Sequence, residues 1–443
     1  MFRRPIGRAT PIPTSSASTV EIDNTIAQPN VFDKSAAIML AVTAGCLPLY
    51  IVRWKVGPIS TTLLELLVLA TIALYLLGRR RDGVFRLDPT PYDIPIVLLL
   101  LAGAIAVLVP SDRWHALGLY RAYFLEPIAI FYVAIELLRG PGQIRRVLLA
   151  IGLGSSVFAV LNVAAFFASF VQGTFVLGSP PTALYTSGPE VAMYLEPPLA
   201  LAAGLVLFAD QRTDRLLALG WMTLLLPALT LTFSRGAYFA IAVLALVAIA
   251  TSRARVPLAV ALVVVVIGLL QVPLIQRRLA GQFNLGDSAT TIRGRLSIFS
   301  DTVSMLRDHP ILGNGLGGYH YLFRGTIPEI YPHDMWLTFW VEVGLLGMVA
   351  FAVIFFGLLY RGWRAYRRAN GFYRALLWGV SGSLVLWGVH GLVDSPYWKN
   401  DMSLEFWILA ALELVAIRSI GARVLSASAG APAPASGNTN NLI

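Results

Sequence analysis

The residues best suited to chemistry gather in one polar stretch, Gln276 to Asp334, lying between two apolar runs. It contains Arg277, Arg278, Arg293, Arg295, Arg307 and Arg324, and it ends on Pro332-His333-Asp334 where the next apolar run begins. Planar guanidinium groups match phosphate oxygens in geometry and charge. A histidine of near-neutral pKa is the commonest general base. Together these residue types suit a transfer in which an oxygen nucleophile gives its proton to His333 while arginines neutralise a departing phosphate group. Between Arg295 and His333 runs His309-Pro310-Ile311-Leu312-Gly313-Asn314-Gly315-Leu316-Gly317-Gly318. Two readings of its four glycines stand: a nest of backbone amides open to an anion, or a turn beside a surface helix whose arginines touch lipid phosphates.

Other polar residues lie near the ends of apolar runs. Arg235 separates two of them in Thr232-Phe233-Ser234-Arg235-Gly236, either as a ligand contact or as an interfacial side chain. Arg121 and Glu126 lie five residues apart and either form a ligand site or satisfy each other or a neighbouring helix, the structural reading being favoured. Glu190 stands where a run begins and is a candidate sugar contact. Asp334 adjoins His333, where it either tunes the base or faces solvent. His390 falls within an apolar run, and Glu65, Glu136, Glu342, Glu405 and Glu413 read as helix-end or interhelical contacts. No Asp-x-Asp pair is present, so the expected transfer needs no divalent metal and no cofactor, with arginine in the place of the ion. Cys46 is the one cysteine, which excludes an internal disulfide or a cysteine metal cluster.

The elements that would position these groups are transmembrane helices. Hydrophobic residues make up 57% of the chain and charged residues 13%, and the mean hydropathy of +0.70 excludes a soluble domain. Apolar runs at 35–52, 58–77, 94–109, 117–137, 147–171, 189–209, 216–233, 237–250, 256–275, 335–359, 375–393 and 402–417 predict an all-α polytopic bundle of about twelve transmembrane helices. Within the long loop, Ile292, Leu296, Phe299, Val303 and Leu306 recur at spacings of three and four, predicting an amphipathic helix over 291–306. Residues 1–34 read as a disordered cytoplasmic segment, 35–425 as one transmembrane domain and 426–443 as a disordered cytoplasmic tail. No internal repeat supports an inverted duplication.

Of the 34 Lys and Arg, 22 fall on the N-terminal side of the alternating connections and 12 on the other. The first side is therefore expected to be cytoplasmic. Six of the 12 opposing charges sit in the 276–334 loop alone, so a cationic cluster is predicted on the side that topology disfavours, which calls for a ligand. The net charge of +10 is placed at helix flanks facing anionic lipid and argues against nucleic acid as a partner.

The second half of the chain resembles the O-antigen ligase and O-antigen polymerase superfamily of bacterial membrane glycosyltransferases. The resemblance rests on Ser234-Arg235-Gly236, on Gly294-Arg295-Leu296-Ser297-Ile298-Phe299, and on Asp308-His309-Pro310-Ile311-Leu312-Gly313-Asn314-Gly315. His333-Asp334-Met335-Trp336-Leu337 and Val341-Glu342-Val343-Gly344-Leu345-Leu346-Gly347 complete it. It implies that Arg235 and Arg295 bind a diphosphate, with Arg293 as a second candidate for the loop arginine, and that His333 is catalytic. It further implies an undecaprenyl diphosphate glycan donor at the outer face of the bacterial inner membrane. The acceptor would be a lipid core, as in a ligase, or another glycan, as in a polymerase. Three positions depart from the pattern: Asp334 and Glu190 stand where Asn is usual, and Phe299 where Trp is common. A flippase for lipid-linked sugars would share the spans and the cationic residues, but its charges would spread along a path instead of converging on one face.

Overall fold

A computed structural model describes residues 30–57, 59–83, 88–176, 180–280, 292–319 and 331–429. Residues 1–29 of the expected N-terminal segment, the tail beyond 429 and Arg324 lie outside these residues, while 31–34, expected to be disordered, already belong to the first helix. The described architecture is helical: α1 Val31–Gly45, α2 Leu63–Asp82, α3 Asp93–Leu108, α4 Arg113–Tyr120, α5 Glu126–Leu137, α6 Pro141–Val171, α7 Gly188–Phe208 and α8 Arg212–Leu231 are followed by α9 Arg235–Thr251, α10 Arg255–Leu270, α11 Pro273–Ala280, α12 Ile292–Asp308, α13 Met335–Tyr366, α14 Gly371–His390 and α15 Asn400–Ala429. Helix α15 thus continues past Ser426, where the tail was expected to begin.

Each of the twelve apolar runs contains helix, though the first two also include non-helical backbone. Among the described residues six helical stretches are long and apolar enough to cross a membrane: 113–137, 141–171, 188–208, 212–231, 335–366 and 371–390. Three shorter apolar helices, α3, α9 and α10, accompany them. The first run does not stay helical. It turns at Cys46 into a 3-10 segment, Leu47–Ile51, and then into an antiparallel hairpin pairing β1 Arg53–Val56 with β2 Ile59–Thr62. Pro48 near the start of the 3-10 turn and the β-branched Ile59, Thr61 and Thr62 favour this break.

The core lies along α7, α14 and the first half of α15, where almost every residue is buried. Small residues permit it: a Cβ on Gly204 of α7 would stand 2.4 Å from the Ala375 carbonyl, and one on Gly379 of α14 would stand 2.8 Å from the Leu201 Cα. Backbones in contact gain packing that lipid cannot supply, since apolar burial alone gives no advantage in hydrocarbon. Pro197 interrupts α7 and cannot donate to the Met193 carbonyl. The Trp387 Nε1 of α14 donates to that carbonyl at 2.8 Å, so the break is sealed by the neighbouring helix.

Candidate active site

Six helix ends meet at one end of the bundle: the start of α7, the end of α8 and the start of α9, the start of α13, the end of α14 and the start of α15. The α13 start is fastened to the turn after α14. Met335 N donates to Gly391 O at 2.7 Å, and the Thr338 and Ser395 hydroxyls are 2.8 Å apart. That fastening sets Asp394 against His333. The Nδ1 of His333 donates to Asp394 Oδ1 at 3.3 Å, and Arg295 from α12 brings Nη2 to 3.8 Å from Asp394 Oδ2. The His333 side chain is 25% exposed, while that of Asp394 is 11% exposed. A carboxylate on Nδ1 holds the proton there and leaves Nε2 as the acceptor. Burial pushes the Asp394 carboxyl up, but the hydrogen bond and charge of His333 with the Arg295 charge outweigh it, so the group is held well below the usual carboxylate range.

Behind this cluster lies a second pair. His390 Nδ1 donates to Glu196 Oε1 of α7 at 2.6 Å, both side chains being essentially inaccessible. The His390 ring also faces Ser234 Oγ at 3.5 Å, and Gly236 leaves just the room it needs: a Cβ there would lie 2.6 Å from His390 Cδ2. Ser234 and Gly236 flank Arg235, which therefore emerges in the first turn of α9 at the same end of the bundle. The backbone is strained around the site. His333, Phe233 and Tyr397 adopt φ of 54°, 50° and 85°, a region that non-glycine residues occupy at a cost of order 1–3 kcal/mol. All three flank the ends of the helices that build this cluster.

The structure thus brings together Arg295 and His333, with Arg235 beside the His390 pair. Arg293 lies in α12, but its side chain is outside the described residues. Glu190 and Arg121 make their contacts elsewhere. The Glu190 carboxylate accepts from Thr186 N and Oγ1 and pairs with Lys399 Nζ at 2.7 Å. Arg121 occupies a π-helical turn, Arg121–Leu125, and donates Nη2 to Glu65 Oε2 at 2.7 Å and to the Ser60 carbonyl at 2.9 Å, with Glu126 at 3.3 Å. Asp334 caps α13, accepting from Leu337 N at 2.8 Å. The residue joined to His333 is Asp394, which sequence reasoning passed over; its signal is an acid in the short turn between two apolar runs that end on the same side as His333.

Of the two readings of the glycine segment, the structure does not favour a nest of open amides, because most of them have protein partners. Asn314 N donates to Val341 O at 2.7 Å and Leu316 N to Ala106 O at 3.1 Å, while Gly317 N donates to the buried Glu342 carboxylate. A Cβ on Gly313 would stand 2.3 Å from the Val341 carbonyl, so the glycine is required for close packing against α13. Helix α12 covers the predicted amphipathic segment, and its apolar stripe is divided between a buried and an exposed side. Gly294, Ile298, Thr302 and Leu306 face inward, whereas Leu296 and Val303 are 62% and 42% exposed. The Thr302 hydroxyl lies 3.0 Å from the Tyr319 hydroxyl, tying α12 to the glycine segment.

Helices of membrane-crossing length that bring a histidine, a carboxylate and an arginine together at one end of the bundle make this an α-helical membrane protein. Residues 220–352 match the family model described as O-antigen ligase, so this segment of the chain is similar to that family. Arg235, Arg295 and His333 lie within the matched residues; Asp394, Glu196 and His390 lie beyond them. No curated protein matches the chain.

Proposed function

We propose that the protein is an inverting membrane glycosyltransferase of the ligase type, acting at the outer face of the bacterial inner membrane. It transfers a glycan from undecaprenyl diphosphate to an acceptor hydroxyl. The observation that supports this reading best is the contact of His333 and Arg295 with one carboxylate, Asp394, at a single end of the bundle. The His333 Nε2 takes the acceptor hydroxyl's proton, and the oxygen attacks the anomeric carbon from the face opposite the diphosphate. The bond from that carbon to the diphosphate oxygen breaks, and undecaprenyl diphosphate departs with the electron pair. Asp394 balances the imidazolium formed on His333, as a carboxylate does in other histidine-based transfers. Arg235 and Arg295 neutralise the charge gathering on the diphosphate, the part a divalent ion plays in other transferases.

The donor's polyprenyl tail would lie between helices, with both chain termini on the cytoplasmic side. The test is transfer from a purified lipid-linked donor in liposomes, in which His333→Ala abolishes product and retained activity removes the base assignment. Accumulated long lipid-linked chains in a deletion strain indicate a ligase, while single repeats indicate a polymerase of the same superfamily. Orientation is checked separately. A cysteine at the exposed Leu312, in a Cys46→Ser background, is expected to react with an impermeant maleimide from outside the cell membrane. Labelling only from the cytoplasm would invert the proposed topology.

A further inference from the structure

At the end of the bundle away from His333, a cavity of about 170 Å³ opens between α6 and α8, with the end of α7 and the start of α14 behind it. Its wall is apolar, formed mainly by Leu148, Leu149, Leu153, Leu217 and Trp221. Trp221 is fixed in place, its Nε1 donating to Ser155 Oγ at 2.8 Å. Gly152 keeps the indole face uncovered, since a Cβ there would lie 3.3 Å from the ring. The mouth is ionic: Arg145 Nη2 donates to Asp214 at 3.0 Å while the Arg145 guanidinium lies 4.3 Å over the Phe372 ring. Within one helical turn of that pair Arg146, Arg212 and Arg215 are exposed, with Asp210 beside them, so this end of the two helices carries four arginines against two aspartates.

We infer that this cavity holds one acyl chain of an anionic membrane phospholipid, with the lipid phosphate at Arg146 and Arg212. An apolar cavity of roughly 150 Å³ stays dry and accepts an apolar guest, and in a bilayer the abundant apolar guest is an acyl chain. The excess of arginine at the mouth selects the headgroup, because basic residues at a helix end attract anionic lipid. The charge complementarity and the apolar wall lie on the same two helices, α6 and α8, so one molecule satisfies both. The site is separate from the candidate active site, and the inference does not depend on the proposed transfer.

Bromine on an acyl chain quenches indole fluorescence on contact, which makes Trp221 the reporter. The full-length protein in detergent is titrated with dibromostearoyl phosphatidylglycerol or dibromostearoyl phosphatidylcholine, and the signal lost in Trp221→Phe is taken as the Trp221 component. Saturable quenching by the glycerol lipid is expected, with apparent affinity falling roughly fivefold for each arginine removed in Arg146→Gln and Arg212→Gln. Both positions are exposed, so these variants keep the fold. Ser156→Phe, which projects a ring into the cavity, is expected to abolish the quenching while the elution volume stays unchanged. Equal quenching by the choline lipid, or quenching that survives both Ser156→Phe and the arginine substitutions, overturns the inference. Displacement by undecaprenyl phosphate at matched concentration overturns it too, by assigning the cavity to a polyprenyl tail.

Discussion

His333–Asp394 and His390–Glu196 are the same chemical pair in two settings. In each, an imidazole Nδ1 donates to a carboxylate, at 3.3 Å in the first and 2.6 Å in the second. The first is a quarter open at the histidine, whereas the second is closed to solvent on both sides. A substrate hydroxyl can therefore reach only one of the two imidazoles. The difference shows that a histidine–carboxylate pair does not by itself mark a reactive site; access to Nε2 and a cation aimed at the same carboxylate do. The Nε2 of His390 is turned toward Ser234 and packed against Gly236, so its work is to lock α14 to α7 and α9 beneath the exposed pair.

Removing His333 should have the largest effect. General-base loss typically costs about 10²- to 10⁴-fold in rate, so His333→Ala should lower transfer by that much with the membrane protein level unchanged. A loss under about tenfold in a liposome assay would put the exposed pair on the same footing as the buried one. Glu196→Ala should do the reverse. It leaves a buried imidazole without its partner, a change that costs on the order of 3–5 kcal/mol in comparable pairs. Lower unfolding temperature and yield are expected in detergent, with activity per folded molecule preserved. Full stability with slowed transfer would erase the distinction between the pairs.

Asp394→Asn probes the exposed pair more finely and should cost less than loss of the base, about 10²-fold. The carboxylate is held below its ordinary value of about 3.9 in the folded protein. Its stabilising contribution is therefore complete above about pH 4 and is lost only as pH falls through the depressed folded value. A loss of activity nearer neutrality consequently reports protonation of His333. In the Asn variant that acid limb should move to lower pH, since the imidazolium has lost its counter-charge. A limb that stays in place while the rate falls would mean that Asp394 orients the ring without balancing its charge.

The contrast between the pairs also explains what could be read from the chain itself. Long apolar runs announce helices because the bilayer leaves a single segment's backbone no other means of satisfying its hydrogen bonds, and each run contains helix here. His333, Arg235 and Arg295 are legible because they interrupt or border those runs with side chains that are costly near hydrocarbon. Asp394 is not legible, being 61 residues beyond His333 and meeting it only through the fastening of Met335 to Gly391. The burial of His390 and Glu196 is equally hidden, since their mutual contact spans 194 residues. The α12 helix is legible but its packed side is not: Leu296 and Val303 are apolar yet exposed, as residues against lipid can be, so periodicity does not tell the packed face from the outward one. The glycine segment misled because free amides and amides bonded to α3 and α13 carry the same sequence.

The smallest expected effect belongs to Asp334, and it separates charge from geometry at the base. Its carboxylate accepts from Leu337 N and caps α13, and burial pushes its pKa up. Asn and Asp serve almost equally as N-caps. Asp334→Asn should therefore leave both stability and transfer nearly unchanged. Asp334→Ala should cost about 1 kcal/mol and loosen the turn that holds His333 at its positive φ, lowering transfer together with the unfolding temperature. If Asp334→Asn instead shifts the acid limb as Asp394→Asn does, the adjacent carboxylate shares in balancing the imidazolium, and the exposed pair must be redrawn as a triad.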